Sequence, residues 1–153
     1  MPIAINGTGT ITGISAGGLP DGCITPAELS GAQTGSAPIY GVRAWVNFDG
    51  TRNEADSGAS TDGANVKIRG SGNVTSVLKN GAGDYTISFT TAMANINYAV
   101  FGSCENTTAF NVLKTFQNAA GTIVAPTTSA VRIVTGNNAT NQDPTYVSVG
   151  IIQ

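Results

Sequence analysis

Four carboxylates, Asp49, Glu54, Asp56 and Asp62, fall in one Gly- and Ser-rich stretch running from Asp49 to Gly63. Clustered carboxylates suit a hard cation such as calcium, or a glycosidase pair working as acid and base. The spacing matches no EF-hand loop. A saccharide-cleaving site would add a ring of aromatics, and only Trp45 and Phe48 are near in sequence. An inter-strand loop with its charges in water accounts for the same spacing. The expectation is therefore no metal ligands and no catalytic acids in this stretch.

The rest of the chain narrows the chemistry further. It has no histidine, which removes the commonest general base, the usual Ser and Cys protease constellations and His-containing zinc sites. Cys23 and Cys104 are the two cysteines, too few for a Cys-rich zinc site or a disulfide framework. Both read as ordinary thiols. No phosphate-binding G-x-x-x-x-G-K-[ST] loop occurs, and Gly7-Thr8-Gly9 lacks the third glycine of a dinucleotide fingerprint. The expectation is no enzyme: no catalytic, cofactor-binding or metal-binding residue, and no cofactor.

Binding is a different matter. Neutral Asn, Thr, Ser and Tyr side chains can hold glycans by hydrogen bonds and ring stacking. The loops at Asn137–Asn141 and Asn106-Thr107-Thr108 are candidates. A neutral polar surface that resists aggregation is the better-supported reading of any one of these residues. Four Asn-x-Ser/Thr sequons, at Asn6, Asn73, Asn106 and Asn138, are expected by chance in a chain this rich in Asn and Thr.

Strands must position these residues. Val42, Ala44, Val46 and Phe48 alternate with Arg43, Trp45 and Asn47. Tyr85, Ile87 and Phe89 alternate with Asp84, Thr86 and Ser88, and Val147, Val149 and Ile151 with Tyr146, Ser148 and Gly150. Val131 and Ile133 flank Arg132. Period 2 puts each apolar set on one face of a half-buried strand. Further strands are expected at Val66–Arg69, Val74–Lys79, Asn97–Gly102 and Phe110–Phe116. Asn80-Gly81-Ala82-Gly83 reads as a hairpin turn, and Gly136 to Pro144 as a longer exposed loop. About eight short strands separated by turns predict an all-β, antiparallel β-sandwich over residues 40–153.

Residues 1–39 differ. They are rich in Gly, Thr and Ser, and Ile3, Ile5, Ile11 and Ile14 are too sparse to close a core. They read as an extended N-terminal arm that either stays flexible or is ordered by packing against other chains. Thr25-Pro26-Ala27-Glu28 carries a helix-capping box, and Gly31 ends the short helix it predicts at Thr25–Ser30. Apolar residues that one chain cannot bury point to an oligomer.

Charge argues in the same direction. Charged residues are 10% of the chain and the net charge is -2, so contacts should depend little on salt. Seven scattered Lys and Arg make no basic patch, which argues against nucleic-acid binding. No apolar run is long enough to insert in a bilayer. Met1 to Gly7 has no basic region before an apolar stretch, so the expected site of synthesis and folding is a cytosol.

Residues 41–102 add a resemblance. Gly41-Val42-Arg43-Ala44-Trp45-Val46-Asn47-Phe48-Asp49-Gly50-Thr51 resembles the RAWVNFNGT opening of tail-fibre proteins of tailed phages, marine and freshwater ones especially. Arg69 to Val77 and then Asn80 to Met93 resemble that family's SGNVSSV…NGTGDYTVNFTTAM segment, and Asn97-Tyr98-Ala99-Val100 its NYAV strand. The insert from Glu54 to Asn65 is longer and more acidic than the pattern, and the likeness fades beyond Phe101. The resemblance implies a homotrimeric fibre on a virion, made in the host cytoplasm, with no catalytic residue. Its arm would engage other tail or baseplate proteins, and its β domain would face a host-surface glycan or protein receptor. The competing expectation is a non-adhesive virion part, such as a head decoration or a tail collar or connector component.

Overall fold

The computed structural model describes residues 41–105, 112–137 and 139–153. The arm 1–39, its capped helix and the boundary at Tyr40 lie outside the described residues, as does the Asn106-Thr107-Thr108 loop. The described residues form eight strands and no helix: β1 (Val42–Asn53), β2 (Val66–Gly72), β3 (Val74–Gly81), β4 (Asp84–Phe89), β5 (Ala99–Glu105), β6 (Val112–Thr115), β7 (Ala130–Gly136) and β8 (Tyr146–Ile152). They make two four-stranded antiparallel sheets, ordered β2-β1-β8-β5 and β3-β4-β7-β6. The architecture is all-β and sandwich-like.

The alternation explains why the sheets face each other. Ala44, Val46 and Phe48 of β1, and Val147, Val149 and Ile151 of β8, are buried from one side. Val77, Tyr85, Ile87, Phe89, Val131 and Ile133 are buried from the other. Across the core, the Phe48 and Tyr85 rings meet edge to face with centroids 5.0 Å apart. Such a contact adds about 0.5–1.5 kcal/mol to what burial alone contributes. Cys104 packs against the same core, and burial pushes its thiol pKa up, away from reactivity.

Three local departures from plain alternation matter. Val42 breaks the phase of its strand: an irregularity between Val42 and Ala44 in the β1–β8 register turns it outward, 55% exposed. A second irregularity, opposite Asn47 and Phe48, leaves Arg69 of β2 without a register partner. At the third, β2 passes to β3 in the opposite sheet through the single residue Asn73, which has φ 56°. Asn tolerates this left-handed conformation better than most residues. Its side chain ties the corner down, donating to the carbonyls of Arg43 and Thr91 and accepting the Thr91 N–H at 2.7 Å. The sequon asparagine at 73 is thus a corner staple.

Candidate functional site

The acidic stretch comes apart in three dimensions. Asp49 is buried, accepts two hydrogen bonds from Thr51 through one oxygen and pairs with Arg69 through the other. Asp56 pairs with Arg52 on the surface, Glu54 accepts from Asn65, and Asp62 lies 3.5 Å from the Lys79 ammonium. Four carboxylates go to four different partners, so they do not converge on a common point. Among the described residues no group of three or more His, Cys, Asp or Glu side chains is placed to hold a metal ion. The expectation of a solvated loop misses Asp49, which the corner of β1 draws inside.

A second polar cluster was not foreseen. Asp143 lies in the segment read as an exposed loop, yet its carboxylate turns inward. One oxygen accepts the Lys79 ammonium at 2.6 Å. The other accepts the Gly83 N–H at 2.7 Å and the Tyr85 hydroxyl at 2.6 Å. Pro144 beside it is buried, and its carbonyl accepts the Gly50 N–H at 2.9 Å. Gly50 is required there, because a Cβ would strike the Tyr85 hydroxyl and the Pro144 carbonyl. Burial, and then the Asp143 carboxylate, push the Tyr85 phenol far above its ordinary pKa, so it acts only as a proton donor. The Lys79, Gly83 and Tyr85 donors are each matched by Asp143, while the side-chain oxygen of the adjacent Gln142 is buried without a partner among the described residues.

Asp84 makes a similar knot. It is buried and receives a two-point contact from Arg132 at 2.7 and 2.8 Å, with the Ala119 N–H at 2.6 Å. Burial alone would raise its carboxyl pKa; Arg132, Ala119 and Asn80 outweigh burial and hold it below the ordinary value. The predicted glycan loop at Asn137–Asn141 is likewise spoken for in part. The Asn137 side-chain Oδ1 accepts the N–H groups of Ala139 and Thr140, and the Asn141 side-chain amide donates to the Ala119 carbonyl.

The outer face of the β2-β1-β8-β5 sheet is different. Trp45 is opposite Gly72 on one side and Gly150 on the other, and Gly150 is opposite Phe101. One row across the sheet thus reads Gly72, Trp45, Gly150, Phe101. The Trp45 indole lies along β2, its five-membered ring against Gly72 and its six-membered ring against Gly70. The Phe101 ring lies over Gly150. A Cβ at Gly72 or Gly150 would collide with the ring above it. Both aromatics remain about half exposed, at 47% and 50%. The adjacent row reads Gly70, Asn47, Ser148, Ser103. The Asn47 amide donates to the Ser148 hydroxyl at 2.8 Å.

These two rows enclose a shallow, open groove of about 790 Å³, bounded by Trp45 and Phe101 and floored by β1 and β8. No charged side chain lines it. It is the candidate site. Sequence reasoning had part of the signal: Trp45 stands in the polar phase of an alternating strand. Phe101 carried none, because its partner across the groove, Trp45, lies 56 residues away in sequence. At the far end of the face, Arg69 stacks on the Tyr146 ring with its guanidinium 4.2 Å from the centroid, and it is held there by Asp49 and the Phe48 carbonyl.

Comparison of the chain with family models, with curated proteins and with solved structures found no match. Among the described residues no helix is long and apolar enough to cross a membrane.

Proposed function

We propose that the chain is a structural and adhesive component of a phage tail fibre, a homotrimer on the virion, without catalytic activity. Its arm, residues 1–39, attaches to a tail or baseplate protein, and its β domain is presented to the host surface. The observation that carries this reading is where the resembling segment falls. Residues 41–102 make up β1 to β4 and the first half of β5, and they supply Trp45, Phe101 and two of the glycines under them. The part of the chain that resembles fibre proteins is thus also the part that builds an exposed, uncharged aromatic face. Low charge and strands closed by polar knots support the same reading, since both suit a particle that meets variable salt and proteases.

Immunogold labelling of virions with antibody to the chain tests it. Label at the tail tip or fibres is expected, and label on the head or collar would select the non-adhesive virion part instead. Sedimentation of the purified chain should give about three times 15.4 kDa; a stable monomer at micromolar concentration would remove the trimer.

A further inference from the structure

The groove between Trp45 and Phe101 points to a ligand class, and we infer that it binds a short, uncharged oligosaccharide. The inference rests on the reading of the β domain as the surface presented to a host, and adds what that surface takes. Three observations converge on it.

The first is how the rings lie. Here glycines at 70, 72 and 150 remove the side chains that would prop the rings up, so each ring rests against the sheet backbone. Each therefore offers a face to solvent. The face of an aromatic ring is the negative end of its quadrupole. It attracts the weakly positive C–H groups that line one side of a pyranose, and the flat contact gathers many dispersion pairs.

The second is what stands beside the rings. Asn47, Ser148 and Ser103 form the next row along the same face, about 7 Å away by strand geometry. Asn47 spends one amide proton on Ser148. Its carbonyl oxygen and the Ser103 hydroxyl have no protein partner among the described residues. A sugar brings hydroxyls that both donate and accept, so it can satisfy these groups while its apolar side stacks on the rings. An apolar partner surface would instead bury them unpaired, which is unfavourable.

The third is charge. None of the groove's lining residues carries any. Arg69 on the same face is engaged with Asp49 and Tyr146, and Arg43, two residues before Trp45 on β1, is exposed but is not among the lining residues. The lining matches a neutral ligand, and discriminates against uronic or sialic acids by offering no counter-charge. The groove's size suits a few sugar rings.

Trp45 is the only tryptophan of the chain, so its emission reports on the groove alone. The full-length protein is titrated with neutral cello-, chito- and manno-oligosaccharides, and separately with oligogalacturonate of matched length. A saturable blue shift with at least one neutral series is expected, with at least tenfold weaker response to the acid. Calorimetric titration of Phe101→Ala and of Gly72→Ala should show at least tenfold weaker binding with unchanged circular dichroism. The glycine variant touches no ligand group and acts only by lifting the indole. No response to any neutral series up to ~10 mM overturns the inference. So does a blue shift produced by raising protein concentration alone, which would mean that a second copy covers the face. Immunogold label on the tail without a saccharide response sinks this inference and leaves the fibre reading intact. A saccharide response with no label on the virion does the reverse.

Discussion

The knot around Asp143 and the face around Trp45 use the same residue classes to opposite ends. At Asp143 an ammonium, a phenol and a backbone N–H converge on one carboxylate, and each finds its partner within 2.7 Å. At Trp45 the glycines clear space, the rings stay half exposed, and the polar groups beside them are only partly paired. A buried polar group left unmatched is costly, and in the first region, around the Asp143 carboxylate, the fold matches each donor. The second is stable without closure because its rings already rest on backbone. Matched polarity therefore marks where this fold is held, and exposed aromatic faces mark where it can meet something else.

Substitution separates the two most sharply. Asp143→Ala leaves the Tyr85 hydroxyl without its acceptor and the Lys79 ammonium with only Ser60 and the longer Asp62 contact, and should destabilise by about 2–3 kcal/mol, below the figure for a fully dry pair because Asp143 is partly solvated. Thermal melts should fall by roughly 10 °C. Trp45→Ala should cost under about 1 kcal/mol. If the two variants melt alike, the division of labour is wrong.

Acid provides the next contrast. Asp84 is held below the ordinary carboxylate pKa in the folded chain, against an unfolded value of about 3.9. Its contribution is therefore fully present above that unfolded value, and is lost as the pH falls through the folded pKa. Urea melts between pH 7 and pH 3 should show stability falling at the acid end. In Arg132→Met burial dominates the Asp84 carboxyl, so the gap between wild type and variant should narrow as the pH drops. A gap that stays constant would show that the Arg132 contact is not an ion pair in solution.

Gly72→Ala tests the bed of the aromatic platform. Stability should move by about 1 kcal/mol or less, since the atoms met by the new Cβ belong to a surface side chain. Trp45 emission should shift to the red as the indole lifts into water. The smallest effect expected is that of a chelator. The carboxylates between Asp49 and Asp62 have separate partners, so EDTA or added calcium should leave the melting temperature unchanged. A shift of several degrees would reinstate a calcium site.

Alternation placed β1, β4, β7 and β8 and named their share of the core, because a pleated strand must send successive side chains to opposite faces and only one face can be dry. It put Ala44, Val46 and Phe48 inside and Trp45 outside from their spacing. Turn chemistry placed the β3–β4 hairpin, where Gly83 has φ 66°. What spacing could not supply is which distant segments become neighbours. Val42 faces out because of a register irregularity against β8. Asp49 and Asp143 turn inward because Arg69 and Lys79 are waiting there, 20 and 64 residues away. Gly72 and Gly150 read as ordinary turn or strand glycines until Trp45 and Phe101 are laid across them. Periodicity is a local property of the backbone and survives in the sequence; partnership between strands is decided by sheet order, and only the folded chain contains it.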